Sequence, residues 1–453
     1  GFNLNDLQFK LNPFFIEIKI IGMKMKIKIF AGLMLLILSG VCVSFAQTTV
    51  EMNQSRVSER QAVADYRANN FPDFLENIKN ASNLRPNHSR LLYNLAVAYA
   101  VNNNPNEALD TLKQLAEMGV SFQIEKDNDF KSLFENDNFQ QIQQQMNRNK
   151  QALNNSKQAF SINQKQLITE GIAYNPKTKT FYLSSIHQRK IVAVSADGKE
   201  QDLSAEADGL WSVSGMKVDA KRQILWVCSS VFPQMKGFKK EDDGKAGIFK
   251  YDLKNGKLLK SYLLSNEMEK HALGDLTLNQ KGDVFITDSV SPNIYFIDST
   301  QDKLELFLKN DIFTSLQGAD FSADEKTMFV ADYGKGIFKI DLQTKQLTQL
   351  KPAKNVTLLG LDGFYFHNGK LIGIQNGINP NRVVSFTLNP QATEITGFTT
   401  LEVGHPDFNE PTLGVIIDGE LFYVANSQWA LVNEKAELQT DKLKNPVVLR
   451  LRL

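Results

Sequence analysis

"LDGFYFHNGKLIGIQNGINPNRVVSF", residues 361–386, decides how the larger part of this chain is read. Apolar runs at 364–366, 371–374 and 383–386 alternate with Asn-Gly pairs, the pattern of three short strands joined by turns. Asp362 stands at the front edge of the first strand, and Gln375 and Asn376 at the back edge of the second. Polar residues there are either turn formers or parts of a site, depending on where the strands lead.

The same unit recurs. Its third strand is the easiest to follow: "KIVAVSADGK", "GIFKYDLKNGK", "NIYFIDSTQDK", "GIFKIDLQTKQ", "RVVSFTLNP" and "VVLRLRL", aligned at Ile191, Ile248, Ile294, Ile337, Val383 and Val447. Six copies of ~45 residues with a two-residue apolar period predict an all-β six-bladed propeller over 159–453. The chain ends on a third strand, so the last blade lacks its outermost one. "AFSIN" (159–163) is expected to supply it and close the ring. Asp197-Gly198, Asn255-Gly256 and Asn368-Gly369 read as hairpin turns with no site role.

Upstream the period changes to three and four. Over 55–146, Ala62, Phe74, Ile78 and Ala81 align with Ala96, Ala108, Leu112 and Leu115 at an offset of 34. That offset resembles a tetratricopeptide pair. Two repeats are too few for a free-standing solenoid, so this helical region is expected to pack on the propeller or bind a protein partner. Residues 147–158 are polar and read as a linker.

At 23–46, "MKMKIKIFAGLMLLILSGVCVSFA" combines a basic start, an apolar stretch and small residues at 44 and 46. This is the pattern of a secretory signal peptide, and residues 1–22 read as upstream, non-native sequence. Export, to the periplasm or beyond the cell, is the expectation. Cleavage would remove five lysines and two acids, taking the formal charge from +1 to −2. Nothing in that balance points to nucleic acid, and no membrane attachment is expected after cleavage. Only Cys228 would remain, which argues against disulfides and zinc or thiol chemistry.

In a propeller, the start of each inner strand and the end of each second strand share one mouth of the central channel. Inner-strand starts carry Glu170, Ser214, Asp275, Gln317, Asp362 and Glu410. Second-strand ends carry His187, Ser229, Asp288, Asp332, Asn376 and Asn426. Asp288, Asp332 and Ser229 are read first as turn residues. Glu170 is a poor turn former and precedes a glycine that permits close backbone approach, so it reads as functional, as does Asp362. His187 reads equally as a surface or a site residue. Clustered carboxylates repel unless a cation sits among them, and mixed oxygen donors suit Ca²⁺.

"TEGIAYNPKTKTFYLSSIHQRKIVAVSADGK", "GADFSADEKTMFVADYGKGIFKID" and "LDGFYFHNGKLIGIQNG" resemble blades of the gluconolactonase/regucalcin (senescence-marker-protein) propellers. The resemblance spans about 165–453. It implies a divalent cation, commonly calcium, held at the channel mouth by a Glu, two Asn and an Asp. Glu170 and Asp362 match. The first Asn falls at Gly274, beside Asp275, and the second at Gln317 or Gly318.

The resulting expectation is an exported, metal-dependent lactone or ester hydrolase. Glu170, Asp362, Gln317 and Asp275 would hold the metal, and Asp362 or Asp275 would serve as general base. His187, Asn376, Asn426 and Trp429 would bind a small molecule in the channel, with Trp211 and Phe232 as further wall residues. The alternative is a non-catalytic propeller and tetratricopeptide scaffold.

Overall fold

A computed structural model describes residues 49–433 and 435–453. The 1–22 segment and the signal peptide expected over 23–46 lie outside the described residues. Among the described residues, no helix is long and apolar enough to cross a membrane.

Helices come first: α1 (Thr49–Arg67), α2 (Phe71–Leu84), α3 (Ser89–Val101), α4 (Pro105–Glu117) and, after two short 3₁₀ turns, α5 (Asp137–Asn149). Proline occupies the first turn of α2 and of α4, where no helical N–H is lost. α3 opens under the His88 ring, and α5 under Asn136, whose side chain accepts from the amides of Asn138 and Phe139. Short connections fold α1 on α2 and α3 on α4. All eight residues paired by the 34-residue offset enter one buried core, which Phe130, Phe139 and Met146 complete.

Six sheets follow. Blade 1 runs outward from the axis as Ile172–Asn175, Thr180–Ser184, Ile191–Val194 and Glu200–Asp202. Blade 2 is Ser212–Asp219, Ile224–Ser230, Ala246–Asp252 and Lys257–Leu264. Blade 3 is Leu273–Leu278, Val284–Asp288, Asn293–Ile297 and Leu304–Lys309. Blade 4 is Leu316–Phe321, Thr327–Asp332, Gly336–Asp341 and Leu347–Gln349. Blade 5 is Leu361–His367, Lys370–Gln375, Arg382–Leu388 and Glu394–Val403, with Lys351–Pro352 added outside in parallel. Blade 6 is Gly414–Ile417, Glu420–Val424 and Val447–Arg452, completed by Lys157–Ser161. That last pairing is antiparallel, with Lys157 opposite Arg450 and Ser161 opposite Val447. The strand that opens the β region therefore closes the ring and covers the edge of the final blade.

Between blades lie apolar layers, such as Trp226, Ile248, Leu276, Ile286 and Tyr295 between blades 2 and 3. At the axis, neighbouring inner strands approach closely because glycine stands where they touch. A Cβ on Gly215 would lie 2.6 Å from the Cα of Asp275, and one on Gly171 would collide with the Ser214 carbonyl.

The helical region docks on blade 5. Arg382, fully buried, donates to the Met118 carbonyl at 3.0 Å and to Gln375 Oε1 at 2.7 Å. Asn379 and Ser121 exchange two hydrogen bonds, and Ile378 joins the helical core. The stretch after α5 is held along the outer strand of blade 5, where Glu402 accepts from the amides of Asn154 and Ser156.

Candidate active site

The residues from which the reading began divide. Asn376 Nδ2 donates to Asp362 Oδ2 at 2.7 Å and to the Pro411 carbonyl at 3.1 Å. Its Oδ1 accepts from Tyr333 OH at 3.1 Å. Gln375, one residue earlier, points the other way because side chains alternate along a strand. It donates to the Thr357 and Leu359 carbonyls and receives Arg382, so it supports the helical docking.

Across the mouth, Glu170 Oε2 accepts from Trp429 Nε1 at 2.5 Å and Ser427 Oγ at 2.9 Å. Ser184 Oγ accepts from the amides of Glu170 and Gly171, and Thr412 Oγ1 donates to the Glu170 carbonyl. These contacts fix the backbone at the entry to blade 1. Glu410 Oε2 accepts from the Trp429 amide at 3.1 Å. Phe232, from the long blade 2 insertion, meets Trp429 edge to face at 5.6 Å and adds an apolar wall.

Three carboxyl groups thus share one mouth. Burial, and next the charge of Asp362, push Glu170 well above the usual carboxylate range. Burial likewise raises Asp362 to about 7, with Glu410 and Asp275 adding to the rise and the Asn376 hydrogen bond opposing it. Glu410 is raised by burial against the Trp429 hydrogen bond. Burial and these acids together raise the Tyr333 phenol. Backbone strain gathers at the same place: Ile168, Glu410 and Gln428 have φ of 50°, 68° and 64°, a region costly for side chains other than glycine.

Other predicted residues do different work. Asn426 spends its side chain on the Asn445 carbonyl and the Val447 amide, holding the third strand of blade 6. His187 is buried with Nδ1 on the Gln234 carbonyl at 2.8 Å, so it anchors the blade 2 insertion. Burial lowers its pKa. Asp288 and Asp332 gather amides at their own turns, and Ser229 accepts from the Trp211 amide. The turn reading of these three fits what they touch. Trp211 packs edge to face on Phe249 in the blade 2 core. Asp275 lies deeper in the channel, 3.9 Å from Lys217 Nζ.

The three carboxylates among the four predicted metal ligands, Glu170, Asp362 and Asp275, are not gathered into a metal-holding group. Glu170 Oε2 already takes two donors, and Asp362 Oδ2 takes one. Gln317 donates its Nε2 to Ser315 Oγ at 3.1 Å, a bond that leaves its Oε1 uncommitted, and Asp275 Oδ2 faces an ammonium group. Among the described residues, no group of three or more His, Cys, Asp or Glu is placed to hold a metal ion.

Glu410, Tyr333 and Ser427 were not singled out as site residues from sequence. Glu410 was legible as a polar residue ahead of the sixth inner strand. Tyr333 follows a turn aspartate with nothing local to mark it.

No family model matches this sequence, and no curated protein matches it. Solved structures do. A gluconolactonase from Xanthomonas campestris is 16% identical, covering 62% of this chain and 85% of that one, with a TM-score of 0.42. A luciferin-regenerating enzyme is 15% identical, covering 67% and 96%, with a TM-score of 0.47. A virginiamycin B lyase from Staphylococcus aureus is 17% identical, covering 59% and 80%, with a TM-score of 0.41. At these values the chemistry has to be read from the side chains.

Proposed function

We propose that the protein hydrolyses a lactone or ester bound at this mouth, using Glu170 and Asp362 as an acid–base pair. What supports this is a mouth that buries both carboxyl groups, pushing one far up and the other to about 7. Two carboxyl groups held apart in pKa divide naturally into a proton donor and a proton acceptor.

In this reading Asp362, oriented by Asn376, takes a proton from water as the water attacks the substrate carbonyl. Glu170 stays protonated at neutral pH and donates a hydrogen bond to the oxygen on which negative charge develops. Its Oε2 receives Trp429 and Ser427. That leaves Oε1 to carry the proton. As the tetrahedral intermediate collapses, the proton that Asp362 took from water passes to the departing alkoxide oxygen, which returns Asp362 to its carboxylate form and leaves Glu170 protonated. Trp429 and Phe232 offer an apolar wall to the body of the substrate.

The same proposal assigns this activity to a site outside the cytoplasm, supported by the signal-peptide pattern at 23–46. A screen of sugar lactones and aryl esters at several pH values tests it. Turnover should rise with pH through about 7, as Asp362 ionises, and fall again once Glu170 loses its proton. Glu170→Gln and Asp362→Asn should each lower kcat/KM by about 10²–10⁴-fold, the usual scale of general acid–base catalysis. Full activity in both variants would remove the mechanism.

A second reading, ligand binding without turnover, draws support from Gly274 and from Gln317 or Gly318, which stand where the resembled family has its two Asn. Saturable binding of a lactone that stays intact would favour it.

A further inference from the structure

Below the mouth, Lys217 reaches from the inner strand of blade 2 into the channel. Its Nζ lies 3.9 Å from Asp275 Oδ2 of blade 3 and 5.2 Å from the ring centre of Tyr365 of blade 5. Asp275 is 2% exposed, and its Oδ2 has no hydrogen-bond partner. A carboxylate so buried needs a positive charge close by or must take up a proton. The other polar groups at this level are held by backbone amides. Asp320 accepts from the amides of Phe321 and Phe366, each at 2.9 Å, and Tyr365 OH accepts from the Gly414 amide at 2.5 Å.

We propose that Lys217 is the resident cation of this channel: its ammonium holds Asp275 as a counter-ion and keeps the carboxylates above from assembling a divalent-metal site. Asp275 lies just below the mouth, and its charge is felt by Asp362. Gly215, whose Cβ would run into Asp275, leaves the carboxylate room beside the blade 2 strand. A second cation brought to that oxygen would face Lys217 directly. Removing the lysine charge frees the Asp275 oxygens to turn toward Glu170 and Asp362, giving three carboxylates from blades 1, 3 and 5 on one axis. Oxygen sets of that kind bind Ca²⁺.

The inference does not depend on the hydrolase reading, because ion binding is measured without turnover. The full chain, freed of metal by chelator and dialysis, is titrated with CaCl₂, MgCl₂ and MnCl₂ by calorimetry, and its melting temperature is recorded with and without each salt. The wild type and Lys217→Arg should give no stoichiometric binding and no shift in melting. Lys217→Met should gain about one Ca²⁺ per chain with a Kd of ~10⁻⁴–10⁻³ M, in the range of extracellular calcium modules. Adding Asp275→Asn to Lys217→Met should abolish that gain. Lys217→Gln repeats the test should the methionine variant not melt cooperatively. Stoichiometric Ca²⁺ binding by the wild type overturns the proposal, and so does a folded charge-neutral variant that stays silent.

Discussion

Replacing Asp362 by asparagine keeps the shape of the side chain and an acceptor for Asn376 while removing the charge. The structure sets the size of the effect. Asp362 shifts from an ordinary 3.8 to about 7 in the folded protein, burial being the largest cause. A carboxyl raised on folding binds its proton more tightly in the native than in the unfolded state. Its contribution is therefore fully present below the unfolded value and is lost as pH rises through the folded one. Between pH 5 and pH 8 the loss from this group is about 2.5 kcal/mol, at 1.36 kcal/mol per pKa unit. Unfolding entropy of about 2.1 cal/mol/K per residue over ~400 residues converts that to roughly 3 °C in melting temperature. Calorimetric scans of wild type and Asp362→Asn across this range make the assay. The variant should gain on the wild type by about that amount as pH rises. A difference in melting temperature that stays constant from pH 5 to pH 8 would refute the reasoning, because it would mean that Asp362 ionises normally in the fold.

Other consequences can be checked singly. Asn376→Ala removes the hydrogen bond that lowers the Asp362 pKa, so the alkaline rise in lactone or ester turnover should move to higher pH. Arg382→Met leaves the Met118 carbonyl and Gln375 Oε1 without their donor, and should cost about 2–4 kcal/mol. Limited proteolysis should then cut the helical region, or the stretch after α5, earlier than in the wild type. Phe160→Pro takes an amide from the strand that closes blade 6 and removes a ring packed on Phe181 at 4.9 Å. The variant should melt at a lower temperature and expose the last blade to protease. Gly215→Ala places a methyl 2.6 Å from the Asp275 Cα, and should destabilise the protein without touching the mouth acids.

Much of the architecture could be read in advance because blades repeat. Aligning six third strands located every inner strand and every second-strand end, and the phase of the last copy implied that an N-terminal strand must close the ring. The strand observed, Lys157–Ser161, starts two residues earlier than the segment expected. Within the site, Glu170 and Asp362 were legible because glycine follows each one and a propeller brings inner-strand starts together. What remained hidden depends on which way side chains turn. Asn376 and Gln375 are adjacent and chemically alike, yet alternation sends one to Asp362 and the other to Arg382. Asn426 occupies the equivalent place in blade 6 but binds backbone. Lys217 looks in sequence like any outward lysine on a strand, and only closure of the ring shows that it points at Asp275. The predicted metal shell rested on four positions considered one by one. The hydrogen bonds that orient Glu170 come from Trp429 and Ser427, which no local pattern connects to that position.

The most direct test of interacting acids at the channel mouth is a titration of carboxyl carbons by NMR, in protein labelled at Asp and Glu side chains, for wild type and Glu410→Gln. The account predicts one aspartate signal in the wild type titrating near pH 7, assigned by its loss in Asp362→Asn and displaced toward the ordinary range in Glu410→Gln, which removes a neighbouring charge. An Asp362 signal that has finished titrating by about pH 5 in wild type, and is unmoved by Glu410→Gln, would contradict it.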